Sequence, residues 1–151
     1  MSRPARSPSA DPFLVFKDHL RRQGLKSTAQ RDDIARVFFA SHRHISVEEL
    51  YLEVKRVNPR IGYATVYRTM KLLTECGLAA ERHFRDAEAR YERTTDGGHH
   101  DHLICEGCGT IVEFEEDRIE RLQGEVAQRF GFAITGHKME LYGLCRACRR
   151  A

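Results

Sequence analysis

Two short cysteine pairs set the tightest limit on this chain. Cys105-Glu106-Gly107-Cys108 and Cys145-Arg146-Ala147-Cys148 are C-x₂-C knuckles separated by 36 residues. Four thiolates at these spacings can close a tetrahedron, which suits zinc with no open coordination position. Gly107 and Gly109 supply the tight turn a knuckle requires. Disulfides are the first competing reading, disfavoured in a chain whose start carries no export signal. A thioredoxin-like redox pair is the second, and it needs only one C-x₂-C in a βαβ context. Cys76 stands apart from the knuckles and reads as a core thiol.

The rest of the sequence divides around these knuckles. Residues 1–80 hold 14 Lys and Arg against 8 Asp and Glu, a balance of +6. Residues 81–151 hold 11 against 14, a balance of −3, and they carry five of the eight histidines. A basic front half suits contact with a polyanion, and an acidic, His- and Cys-rich back half suits holding cations. No apolar run approaches the roughly 20 residues that span a bilayer, so no integral membrane segment is expected. The first residues carry basic side chains but no apolar stretch behind them. That pattern predicts a cytoplasmic chain with a disordered tail over residues 1–11.

In the front half the apolar spacing predicts helices. Phe13–Leu20 forms a short apolar segment ending at Gly24. Thr28 can cap a helix whose Ile34, Val37 and Phe38 fall on one face. Ser46-Val47-Glu48-Glu49 fits a capping box, and Asn58-Pro59 stops that helix. A further helix is predicted from about Ala64 to Cys76, with Val66, Met70 and Leu73 inward and Gly77 at its end. Leu78–Phe84 and Ala89–Arg93 then flank Arg85-Asp86-Ala87-Glu88 as a hairpin. Helices followed by a two-stranded hairpin are the winged helix-turn-helix pattern. The helix after residue 62 would be the recognition helix, with Thr65, Tyr67, Arg68 and Lys71 on its polar face. The bland alternative is any small α+β domain with a solvated basic face.

In the back half, His99-His100-Asp101-His102 precedes the first knuckle. In an extended strand His100 and His102 share one face while His99 and Asp101 share the other, so the run could serve two sites. His and carboxylate without thiolate fit Fe²⁺, Mn²⁺ or Zn²⁺, and a solvated histidine-rich turn is the alternative. His19, His42 and His83 read as ordinary residues. Leu103-Ile104, Thr110–Phe114 and Phe132–Leu141 read as strands around a helix that Asp117 and Glu120 can cap and Gly131 ends. About 50 residues cannot bury a large core alone, which makes zinc and a partner subunit the expected supports.

With those residues in hand, the chain resembles the ferric uptake regulator (Fur) family over roughly residues 12–148. Gly24-Leu25-Lys26 with Thr28 and Arg31, His44-Ile45-Ser46-Val47-Glu48-Glu49-Leu50-Tyr51 and Ala64-Thr65-Val66-Tyr67-Arg68 carry the first part of the resemblance. Tyr91-Glu92, His99–Cys105 with Gly107-Cys108-Gly109, and Leu141-Tyr142-Gly143 carry the second. The resemblance implies an α+β chain with a winged-helix DNA-binding domain over 12–93, a hinge over 94–99 and an α/β metal-binding dimerisation domain over 100–151. It implies Cys105, Cys108, Cys145 and Cys148 as structural zinc ligands. His44, Glu92, His100, His102 and Glu113 would form a regulatory metal site between the domains. His99, Asp101, Glu120 and His137 would form a second site. Lys26 would enter a minor groove, and Thr65, Tyr67 and Arg68 would face DNA. The function implied is a non-enzymatic, metal-dependent repressor that binds A/T-rich palindromic operators as a homodimer, or as a tetramer of paired dimers. Fe²⁺ is the expected regulatory ion, because peroxide-sensing relatives tend to carry aspartate where Glu92 and Glu113 stand. Zinc-, manganese- and peroxide-sensing relatives, a cytosolic metal-buffering protein and a zinc hydrolase are the competing readings.

Overall fold

The computed structural model describes residues 11–41, 44–85, 88–94 and 100–150. The expected tail lies outside the described residues apart from Asp11, as do His42, His99 and, apart from Thr94, the expected hinge. Chain contacts divide the protein into two compact units, Met1–Gly97 and Gly98–Ala151.

The described residues of the first unit form four helices and a hairpin. Helix α1 (Pro12–Arg22) starts at Asp11, whose carboxylate accepts the Phe13 N–H at 3.0 Å, with Pro12 in the first helical position. Helix α2 (Ala29–Ala40) is capped by Thr28, whose hydroxyl accepts the Arg31 N–H at 3.2 Å. Helix α3 (Val47–Val57) opens on the expected capping box. Glu49 N–H donates to Ser46 Oγ and Ser46 N–H donates to Glu49 Oε2, both at 3.1 Å. Asn58 ends it, and α4 (Tyr63–Glu75) follows, stopping at Gly77. Each helix turns one stripe inward. Phe16, Leu20, Ile34, Phe38, Leu50, Val54, Val66, Met70 and Leu73 meet in one core. Strands β1 (Ala79–Arg82) and β2 (Arg90–Arg93) pair antiparallel, with Ala80 opposite Glu92 and Glu81 opposite Tyr91. The ladder is shorter than the expected Leu78–Phe84 and Ala89–Arg93; Leu78 and Phe84 lie buried just outside it. A lone bridge between Ile45 and Tyr91, with bonds of 3.0 and 2.8 Å, ties the start of α3 to the hairpin.

The second unit is a three-stranded sheet of order β4-β3-β5. Strand β3 (Asp101–Cys105) is central; β4 (Ile111–Phe114) runs antiparallel to it and β5 (Glu140–Gly143) parallel. Helix α5 (Asp117–Arg129) connects β4 to β5, and the single turn α6 (Arg146–Arg149) follows. Two expectations need correction. Glu116, not Asp117, caps α5: its backbone is extended and its carboxylate accepts the Arg118 N–H at 3.2 Å, while Asp117 is already helical. The expected strand Phe132–Leu141 shrinks to Glu140–Gly143. Alternation alone does not make a strand: the described ladder with β3 begins at Glu140, preceded by one bond from His102 N–H to the Met139 carbonyl at 3.1 Å.

The two units differ in how they are held. Among the described residues of the second, Cys105 is the one fully buried apolar side chain, and α5 buries none. Ile119, Leu122, Val126, Phe130, Phe132 and Ile134 instead line an open groove of about 690 Å³. The first unit stands on hydrophobic burial, so its elements respond to local capping in the usual way. Ser46→Ala removes the hydroxyl half of the box and is expected to cost about 1 kcal/mol in urea denaturation. Unchanged stability would show that the Ile45–Tyr91 bridge alone fixes where α3 begins.

Candidate metal centres

The turn between β3 and β4 carries Cys105 and Cys108, and the β5–α6 junction carries Cys145 and Cys148. Because β3 and β5 are parallel neighbours with Cys105 opposite Gly143, the two knuckles arrive at the same end of the sheet. The four Sγ atoms lie within 4.8 Å of one another. A tetrahedral zinc with bonds of about 2.3 Å has sulfur–sulfur edges near 3.8 Å, and Cys108 and Cys145 stand 3.8 Å apart. The donor set therefore fits zinc in chemistry and in size. Two glycines make the packing possible. A Cβ on Gly107 would stand 2.9 Å from Cys148 Sγ and 3.3 Å from Leu144 Cδ2. Gly109 turns the chain at a φ of +76°, in the left-handed region.

The sulfurs are electrostatically unequal. Backbone N–H groups of Cys145, at 3.3 Å, and of Cys108 point at Cys105 Sγ and hold its thiol down at about 6. The Thr110 hydroxyl, 3.1 Å away, and its N–H lower Cys108. Cys148 collects the remaining proton: hydrogen bonds with the sulfurs of Cys145, Cys105 and Cys108 push it up to about 12. One thiolate is thus ready before any cation arrives, and a dication is what can discharge the last proton.

A second cluster is borderline-hard in its donors. Asp101, Glu120 and His137 offer ligand atoms within 4.8 Å of one another. His137 Nε2 lies 3.4 Å from Asp101 Oδ1 and 3.2 Å from Glu120 Oε1. Edges of this length suit an ion bound at roughly 2.0–2.2 Å. Asp101 is 1% exposed, an unusual burial for a carboxylate. His99, expected here as well, lies outside the described residues.

Four of the five remaining expected ligands fall into two pairs, one in each unit. In the first, His44 Nε2 is 2.6 Å from Glu92 Oε2. The Ile45–Tyr91 bridge sets their neighbours side by side, and Arg90 donates to the His44 carbonyl at 3.2 Å. In the second, His102 Nε2 is 4.0 Å from Glu113 Oε1, the two being cross-strand partners on β3 and β4. His100 sits just before β3 with Nδ1 3.4 Å from Glu115 Oε1. Two neighbours of these pairs escaped the sequence reading. Arg82 donates through Nε to Glu92 Oε1 at 2.7 Å. Glu140, opposite His102, is held by Lys138 Nζ at 2.7 Å and the Tyr142 hydroxyl at 2.5 Å. Strand register decides both contacts, and spacing along the chain does not reveal register. Of the residues expected at DNA, Tyr67 and Arg68 stand exposed on α4. Lys26 is exposed in the α1–α2 connection, where its carbonyl accepts from Arg31 at 2.5 Å, and the half-buried Thr65 accepts the Thr69 hydroxyl at its carbonyl.

Residues 22–142 match the family described as "Ferric uptake regulator family". The chain belongs to that family. It is accordingly a metal-responsive regulator with a winged helix-turn-helix unit and a small α/β unit carrying a Cys₄ cluster. It is 44% identical to the ferric uptake regulation protein of Campylobacter jejuni over 135 residues, covering 88% of this chain and 85% of that one. Among solved structures, the Helicobacter pylori ferric uptake regulator, described as having three functional metal-binding sites, superposes with a TM-score of 0.85. It is 26% identical and covers 97% of this chain and 99% of its own. A zinc-bound manganese uptake regulator superposes at 0.72 with 40% identity, covering 87% of this chain and 98% of its own.

The tight packing of the sulfur cluster makes it sensitive to one added methyl group. Gly107→Ala is expected to shed zinc to a competing chelator far faster than the parent, whereas Gly124→Ala, whose Cβ meets nothing within 4 Å, should retain it. Equal retention would mean that the Gly107 contact yields at no cost. Stripped of metal, the chain should show its first thiolate absorbance on crossing pH 6. The Cys105 thiol is depressed, so its contribution to stability is complete above the ordinary thiol range near 8.5 and is lost as pH falls through 6. A first thiolate appearing only near 8.5, while circular dichroism shows the sheet unit still folded, would overturn the assignment of Cys105.

Proposed function

We propose that this regulator is an Fe²⁺-responsive DNA-binding repressor that grips A/T-rich palindromic operators as a homodimer when its regulatory ion is bound. The observation that carries the reading is the division of His/carboxylate donors into two pairs, His44–Glu92 on the winged-helix unit and His102–Glu113 on the sheet unit. Each pair alone offers two protein ligands, too few for a specific divalent site. In this reading both pairs, with His100, serve one ion, so binding it restricts the hinge to the geometry that satisfies both. A ligand set split in this way converts metal affinity into DNA affinity by linkage. His44, held at its carbonyl by Arg90, and Glu92, held at one oxygen by Arg82, keep their donor atoms oriented. When bound, the ion supplies only charge and fixed coordination geometry. The buried Asp101 with Glu120 and His137, and His99 with them, would hold a second ion within the sheet unit. Cys105, Cys108, Cys145 and Cys148 would hold structural Zn²⁺.

Lys26, Thr65, Tyr67 and Arg68 would contact the duplex, Arg68 and Tyr67 at base edges and Lys26 in a narrow minor groove. The groove along α5, with Leu122, Val126 and Phe130 exposed, supports a second copy as the partner that covers it. No helix among the described residues is long and apolar enough to cross a membrane, and a regulator of this kind works in the cytoplasm beside the chromosome. The reading assigns no catalytic residue.

Two features favour Fe²⁺: glutamate at both positions 92 and 113, and the likeness to ferric uptake regulation proteins. The manganese uptake regulator at 40% identity supports Mn²⁺ as the second reading. Mobility shift titrated separately with Fe²⁺, Mn²⁺ and Zn²⁺ decides between them. Operator affinity is expected to rise about 5- to 150-fold with the cognate ion, the usual range of an allosteric coupling. His102→Ala should remain a folded dimer without that response. Affinity indifferent to all three ions would overturn metal control.

A further inference from the structure

On α4, Tyr67 and Lys71 lie one turn apart and share a face. Lys71 Nζ sits 5.3 Å from the centre of the Tyr67 ring, within cation–π range. The same ammonium stands 3.5 Å from Glu81 Oε2 on strand β1. Glu81 is gripped from two further sides. His83 Nε2 lies 3.3 Å from its Oε1, and the Tyr91 hydroxyl, from the cross-strand partner, shares a hydrogen bond with the carboxylate. Tyr91 is itself 2% exposed and bridged to Ile45. A continuous line of contacts therefore runs from the core through Tyr91, Glu81 and Lys71 to the half-exposed ring of Tyr67.

A lysine on a recognition helix would ordinarily be assigned to a DNA phosphate. Here its charge is already answered by Glu81, and a Glu81 left unanswered would repel a polyanion. We propose that Lys71 is a positioning residue: it bridges Glu81 on the hairpin and the Tyr67 ring on α4, and so fixes that ring for base readout. The inference rests on the DNA-binding reading above. A tyrosine on a bare helix surface samples several rotamers and loses that freedom on binding. A cation held over one face of the ring, itself fixed from the hairpin, removes part of that loss beforehand. The gain belongs to sequences that Tyr67 recognises and not to DNA in general.

The test uses the full-length, metal-loaded protein, a duplex selected by it from a random-sequence pool, and a scrambled duplex of the same composition. The readout is the discrimination ratio, scrambled Kd over selected Kd, measured across several salt concentrations. Lys71→Met is expected to lower the ratio about two- to fivefold, the scale of an exposed cation–π contact. Glu81→Gln should lower it as well, although the protein becomes more positive. Lys71→Arg should keep most of it, and the Lys71→Met loss should vanish in a Tyr67→Ala background. A phosphate role for Lys71 has the opposite signature. Both duplexes would then weaken equally in Lys71→Met with the salt slope reduced by about one, and Glu81→Gln would tighten both at an unchanged ratio. That pattern overturns the proposal while leaving DNA binding intact. If the wild-type protein enriches no sequence, the DNA-binding reading falls and the proposal with it.

Discussion

Four sulfur atoms crowded within 4.8 Å of one another are the constraint on which the sheet unit depends. Without a cation they cannot all ionise, since each thiolate raises the cost of the next. The structure already displays the conflict, with Cys105 held low by backbone amides and Cys148 driven high by the other three sulfurs. A dication at the centre would resolve it and pin the β3–β4 turn to the β5–α6 junction. No hydrophobic core does the same. Among the described residues, α5 and the sheet leave Leu103, Val112, Leu122, Phe130 and Leu141 exposed. Coordination free energy is folding free energy in such a unit, and the apolar surface it leaves uncovered is available to a partner.

The winged-helix unit solves the opposite problem. Its core is complete, so the few polar side chains it buries are placed by backbone register and not by mutual attraction. The Ile45–Tyr91 bridge sets His44 beside Glu92, and the capping box of α3 holds Ser46 immediately after it. Arg90 then ties the two together, donating to the His44 carbonyl and, at 3.1 Å, to the same Glu49 carboxylate that closes the box. A candidate metal ligand, a helix start and a strand are thereby one hydrogen-bonded assembly.

What the sequence disclosed follows from this difference. Helices α2 and α3 were legible because capping residues and apolar periodicity are local, and Thr28 and Ser46 cap where their side chains say they should, whereas the Asp11 cap of α1 fell in the expected tail. The cysteine cluster was legible because zinc tolerates few spacings. Local logic failed where the determinant was a neighbour elsewhere in the chain. Phe132–Ile134 alternates like a strand but finds no strand beside it among the described residues, and the α5 cap falls one residue earlier than expected, at Glu116. Arg82 beside Glu92 and Glu140 opposite His102 became visible only with register. His100 lies just before β3, which begins at Asp101, and its place beside Glu115 is likewise a contact that spacing does not disclose.

The same register argument changes the meaning of the +6 balance of the front half. Some of that positive charge, and of the hairpin's after it, is paired within its own unit. Arg36 meets Asp33, Arg22 meets Asp18, Arg90 meets Glu49, Arg82 meets Glu92 and Lys71 meets Glu81. The exposed pairs contribute little to stability. The +6 is already net of the acidic side chains in residues 1–80, so pairing does not lower it. Pairing decides where along the winged-helix unit positive charge stands beside negative charge, and the field at any one patch follows from that arrangement and not from the total.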